Sequence, residues 1–123
     1  MPPVIRQFPT IIIPTTGLPL LVIADAAIHY SNALEVWSLQ EKEAEVVAVM
    51  VAAPGPLNIW VEISAWGLPG TWVPLGIPAV LVATGGVPLP WQVHSEYARI
   101  GVQAPVWAAG AWAVTVSFQA KTP

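Results

Sequence analysis

The sequence predicts an all-β domain, a two-sheet antiparallel β-sandwich of jelly-roll or immunoglobulin-like type, preceded by an extended Pro-rich N-terminal arm. Three observations predict it. Fourteen prolines and nine glycines are scattered through 123 residues, so the segments between breakers are short. Several of those segments alternate apolar and polar residues with a period of two, the pattern of half-buried strands. No segment reads as a convincing helix. A chain of this length builds one core, divided here into an arm, residues 1–19, and a sandwich, residues 20–123.

The arm carries Pro2, Pro3, Pro9, Pro14 and Pro19. Proline fixes φ and supplies no N–H, so the arm is neither a helix nor a central strand. Its middle, Ile11-Ile12-Ile13, is β-branched and apolar. Burying each side chain is worth on the order of 1.5–3 kcal/mol, so the arm is expected to dock, at least partly on a neighbouring chain.

Residues 20–24 read as a first strand, 26–32 as a turn or single helical turn, and 34–39 as a second strand. Residues 40–43 are the most polar point and read as a solvated turn, with Glu41, Glu43 and Glu45 at a hairpin tip. A Val-rich strand over 45–53 follows and Pro54-Gly55-Pro56 ends it. Residues 58–66 put Ile59, Val61, Ile63 and Ala65 on one face and Trp60, Glu62, Ser64 and Trp66 on the other. Gly67-Leu68-Pro69-Gly70 turns the chain, short strands occupy 72–75 and 79–83, and Gly85-Gly86 turns it again. Residues 96–103 bury Ala98, Ile100 and Val102 on one side. Residues 111–119 do the same with Trp112, Val114, Val116 and Phe118. Strands that short and that numerous fit two packed sheets, with a barrel as the other arrangement.

Charged residues make up 9% of the chain, against roughly 25% in ordinary soluble domains. Arg6, Lys42, Arg99 and Lys121 are its four basic residues. They are too few to neutralise several phosphates, which excludes a nucleic-acid partner. The long uncharged stretches are broken by prolines and glycines, so no spanning helix and no membrane partner is expected. Pro14 and Pro19 also interrupt the apolar run a signal peptide needs, and the start is expected to be unprocessed. With so few charges the outer skin must be Ala, Val, Thr, Pro and Trp, more apolar surface than a monomer usually shows. The partners expected from this are the chain itself, as a homo-oligomer such as a trimer, and a larger protein assembly such as a capsid.

There is no cysteine, which removes disulfides, thiolate metal sites and cysteine nucleophiles. His94-Ser95-Glu96 groups an imidazole, a hydroxyl and a carboxylate, but no partner group accompanies them, and they read as backbone-bonding residues before a strand. The acidic run at 41–45 lacks the ligand pattern of a calcium loop. No catalytic residue, cofactor or metal is expected. Seven tryptophans exceed what so small a core holds. Trp is enriched at interface hot spots, so Trp66, Trp72, Trp91 and Trp107, with Ile11, Ile12 and Ile13, are the partner-binding candidates. A glycan stacked on exposed tryptophans is the other candidate partner.

The run from Trp60 through Glu62, Ser64, Trp66, Gly67, Gly70 and Trp72 to Gly76 resembles a hairpin of small β-sandwich accessory, decoration-type proteins of tailed-phage virions. The segment from His94 to Gln103, leading to Pro105 and a last alternating strand, is similar to their closing part. The likeness spans residues 58–119, and the Asp-Gly turn usual there is absent. It implies a non-enzymatic structural protein that binds and stabilises a virion, as a capsid decoration or accessory protein located on the virion. The alternatives are an extracellular carbohydrate-binding or adhesion module, or a subunit of an extracellular filament.

Overall fold

The computed structural model describes residues 5–7, 21–37 and 41–121. Ten strands follow one another: β1 (Ile5–Gln7), β2 (Leu21–Ile23), β3 (Ile28–Tyr30), β4 (Leu34–Glu35), β5 (Glu41–Val51), β6 (Leu57–Ser64), β7 (Val73–Leu81), β8 (Gly85–Trp91), β9 (Tyr97–Gln103) and β10 (Ala111–Lys121). Every pairing is antiparallel. β2 lies on β10, β3 and β4 on β9, β5 on β8, and β6 on β7. The chain is thus a long ribbon with the β6–β7 turn at its tip. The ribbon folds over so that β10 also meets β5 and β9 also meets β6. Sheet A runs β1-β10-β5-β8 with β2 also on β10, and sheet B runs β3-β9-β6-β7 with β4 also on β9. That is the jelly-roll connection, and neither sheet closes into a barrel.

The core lies between the sheets and comes from the alternating positions. Ala44, Val46 and Ala48 of β5 and Trp112, Val114, Val116 and Phe118 of β10 face Leu57, Ile59 and Val61 of β6 and Ala98, Ile100 and Val102 of β9. Trp112 is fully buried and its Nε1–H donates to the Gly55 carbonyl at 2.9 Å. Truncating a buried tryptophan of this kind costs about 3–5 kcal/mol.

Several segments differ from the sequence reading. Residues 26–32 hold a strand, β3, because pairing with β9 supplies what three residues cannot supply alone. Residues 41–43 are not a solvated tip: they begin β5, whose glutamates 41, 43 and 45 are in phase with the outward Val47, Val49 and Val51, while Lys42 points inward and is 2% exposed. The two short strands at 72–75 and 79–83 are one strand, β7, kinked where the register shifts between Ile59 and Val61. Gly85 and Gly86 are in β8 rather than in a turn, and Pro88 and Pro90 sit inside that strand. Edge position is what makes the prolines tolerable, since β8 is the last strand of its sheet. From the arm, Ile5–Gln7 pairs with β10 of its own chain. Ile11, Ile12 and Ile13 lie outside the described residues.

Candidate functional site

The outer faces of the two sheets differ in chemistry. On sheet A, β5 turns Val47, Val49 and Val51 outward, each more than two-fifths exposed. Ala113 and Thr115 of β10 and Val22 of β2 stand beside them. On sheet B, β6 and β9 present polar and aromatic residues in register: Asn58 opposite Gln103, Trp60 opposite Gly101, Glu62 opposite Arg99, and Ser64 opposite Tyr97. β3 adds Tyr30 beside Gly101, and β4 adds Glu35 beside Tyr97.

The centre of this lane is a closed network. Arg99 donates from Nε and Nη2 to Glu62 Oε1, at 3.0 and 2.8 Å, and Trp60 Nε1–H donates to Glu62 Oε2 at 2.8 Å. The guanidinium lies 3.6 Å from the Tyr30 ring centroid and 4.2 Å from that of Trp72. Arginine is suited to this double stack because its charge is planar and delocalised. Glu62 is 7% exposed, and its ion pair and two kinds of donor are what make a carboxylate tolerable there. The Trp60 indole lies across Gly101, where a Cβ would stand 2.5–2.7 Å from three of its ring atoms. Glycine is needed there for close approach.

At one end of the lane three connections meet. The Val36 N–H donates to the Glu96 carbonyl at 2.8 Å, and Lys42 Nζ donates to the Val93 carbonyl at 3.3 Å. Gly67, in the left-handed region at φ 68°, sits under the Tyr97 ring. The β6–β7 turn is pinned by Ser64 Oγ, which accepts from the N–H groups of Trp66 and Gly67. Thr71 gives its proton to the Leu68 carbonyl, so Ser64 donates to Thr71. That turn holds Trp66 outward, 69% exposed, and Trp37 on the neighbouring connection is 60% exposed. Tyr97 pairs in register with Glu35, and Glu96, then burial, then Glu35 hold its phenol above the usual range. Two open indoles, Trp37 two residues past Glu35 and Trp66 two residues past Ser64, follow the strands at this end.

The tryptophan candidates separate by place. Trp66 is exposed. Trp72 is half-buried and stacked on Arg99. Trp107 is half-buried, with Nε1–H donating to the Gly110 carbonyl at 2.9 Å. Trp91 is a correction: it is 7% exposed and tilts against Phe118 in the core, ring centroids 5.5 Å apart, because its strand position faces inward opposite Lys42. Trp37, Tyr30, Trp60, Glu62 and Arg99 escaped the sequence reading. Alternation places Trp60 with Glu62 and Tyr97 with Arg99, but only the strand register joins the two pairs.

Among the described residues no group of three or more His, Cys, Asp or Glu gathers as a metal site. His29 bonds Asp25 at 2.8 Å on the surface, beside the Gln103 end of the lane. No helix among the described residues is long and apolar enough to cross a membrane.

No protein-family model matches the chain, and no curated protein does. Solved structures share its fold. The crystal structure of PirA aligns with TM-score 0.59 and 14% identity over 80% of this chain and 90% of that one. A subunit of the Bacillus endospore appendages, a family of disulfide-linked pili, aligns with TM-score 0.52 and 14% identity over 99% and 91%. The N-terminal cellulose-binding domain of Cellulomonas fimi β-1,4-glucanase C aligns with TM-score 0.53 and 12% identity over 83% and 76%. These likenesses are of fold: the all-β sandwich is one that diverse proteins share, with no particular tie to tailed-phage decoration proteins.

Proposed function

We propose that the chain is a non-enzymatic adhesion module that works on an extracellular surface and holds a glycan along the outer face of sheet B. The observation that carries this is the segregation of the two faces. Polar side chains are scarce in the sequence, yet Asn58, Arg99, Gln103 and Glu35 share one face with the aromatic residues, over the buried Glu62 and Ser64. Sugar rings present C–H faces to aromatic rings and hydroxyls to such polar groups. Trp37 and Trp66 supply open faces at the end of the lane, and the Arg99–Glu62 network keeps the platform rigid. The likeness to a cellulose-binding domain supports the reading at the level of scaffold.

Affinity electrophoresis through gels containing hydroxyethylcellulose, xylan or a mannan tests it. The intact chain is expected to be retarded by at least one of them, and Trp66→Ala and Trp37→Ala each to weaken retention about tenfold, ~1.4 kcal/mol. No retardation in any gel, with no change in tryptophan fluorescence, would sink the reading.

A second reading, a structural subunit of a virion or extracellular filament, is favoured by a separate observation: the aliphatic outer face of sheet A. A capsid-decoration protein of that kind would bury this face in the assembly, and the alignment with a pilus subunit supports a subunit role equally at the level of scaffold.

A further inference from the structure

The four basic residues of the chain are Arg6, Lys42, Arg99 and Lys121. Arg6 on β1 and Lys121 on β10 belong to sheet A, where Lys121 pairs in register with Glu41. Lys42 points inward and its Nζ donates to the Val93 carbonyl. Arg99 alone belongs to the lane on sheet B, and it is already committed. Its Nε and Nη2 both donate to Glu62 Oε1, and the rings of Tyr30 and Trp72 lie against it. Drawing it out to an external anion would leave Glu62 buried with an uncompensated charge.

The seven carboxylates are placed differently. Glu41, Glu43 and Glu45 lie on β5 in sheet A, and Glu62 is the partner of Arg99. The other three border the lane and are exposed. Glu35 of β4 and Glu96, one residue before β9, flank Tyr97 at one end. Asp25 stands at the other, where it bonds His29 and the neighbouring Ala26 carbonyl accepts from the Gln103 amide. Hydrogen bonds from His29 and from the Ala27 N–H hold the Asp25 carboxyl below the usual carboxylate range. From Asn58 to Ser64 the lane is about 20 Å long at about 3.3 Å per residue. In about 0.1 M salt the Debye length is about 10 Å, so the fields of the two ends meet at its middle.

Resting on the glycan reading above, we propose that the glycan held along sheet B carries no acidic groups. It is a neutral hexose or pentose polymer, and the carboxylates at the two ends of the lane turn away chains that bear uronates or sulfates. Neutral sugars need ring faces and hydrogen-bonding side chains such as Asn58 and Gln103. A uronate or sulfate needs a cationic donor as well, and the lane offers none beyond the committed Arg99.

Frontal affinity chromatography on matched columns tests the charge class, at about pH 8, where an ordinary imidazole is neutral. Cellulose, xylan and mannan are each set beside their own carboxymethylated form, so the sugar backbone is the same. In about 0.1 M salt, retention on the carboxymethylated form is expected to be about tenfold weaker than on its neutral parent. The gap should close in about 1 M salt, where the Debye length is about 3 Å. Glu35→Gln combined with Glu96→Gln should bring the ratio of the two retentions nearer to one. Glu43→Gln combined with Glu45→Gln, the same change of net charge on the other sheet, should leave the ratio where it was. Thermal unfolding checks that each variant folds. Retention on a carboxymethylated column equal to or above that on its parent overturns the charge class and leaves the glycan reading standing. So does a ratio that the Glu35 and Glu96 variant leaves unmoved, or that the Glu43 and Glu45 variant moves as far. Passage through every column without delay sinks the glycan reading itself, and the charge class with it.

Discussion

A Cβ at position 101 would meet three atoms of the Trp60 indole, and that indole is tied through Glu62 to Arg99. Gly101→Ala therefore cannot be accommodated by a small ring movement without loosening the network. We expect it to lower stability by about 1–3 kcal/mol, read as a shift in urea midpoint, while burying no new apolar surface. Lys42 carries a second expectation. Burial holds its pKa below the ordinary lysine value of 10.5, so the unfolded chain binds that proton more tightly than the folded one. The penalty is present below the lowered folded pKa and fades as pH rises through it toward 10.5. Stability should thus climb across that alkaline interval, and Lys42→Met should remove the climb. Denaturant titrations of both proteins at a series of pH values would show it; a flat profile in the parent chain would refute it. Neither residue announces its role in the sequence. Gly101 sits in a strand with nothing to say that an indole crosses it, and Lys42 sits among glutamates in what reads as a solvent-exposed run.

Strand edges explain where the element-level reading succeeded and failed. β6, β9 and β10 are legible because the sequence of each alternates two kinds of residue position by position. β8 is not, because two prolines hide it, and they are tolerated only where the missing N–H points away from a neighbour. The same holds for Pro74 and Pro78 in β7. β7 and β8 each pair on one side among the described residues, so on that flank of the sandwich β8 lacks donors at Pro88 and Pro90 and β7 at Pro74 and Pro78. This is protection against strand addition. Replacing Pro88 and Pro90 together by threonine should leave the fold intact and restore those donors. The variant is expected to aggregate faster than the parent on heating, seen as earlier light scattering and thioflavin binding; equal aggregation would show that the prolines protect nothing. The glutamates of β5 misled for another reason. Their spacing of two matches a strand, but charge alone reads as a turn until the run is compared in phase with Val47, Val49 and Val51.

At the scale of the molecule, alternation already indicated two sheets. Which strands share a sheet was not legible, because alternation is blind to partners. The two outer faces, one aliphatic and one aromatic and polar, appear only when β5 is set beside β10 and β6 beside β9. The folded ribbon also fixes an order in time. β1 and β2 pair with β10 alone, and β5 meets β10 along its whole length, yet β10 is the last of the ten strands to be synthesised. At about 5–20 residues per second, Leu21–Ile23 waits roughly 5–20 s for residues 111–121 to appear. Throughout that interval β5 has no β10 along that edge and β2 has no partner strand, so the final strand acts as the clasp that closes sheet A. A chain ending at residue 110 should show no cooperative unfolding transition, and a synthetic peptide of residues 111–121 added to it should restore one. If the shortened chain melts cooperatively by itself, the clasp is dispensable and sheet A is held by something other than its last strand.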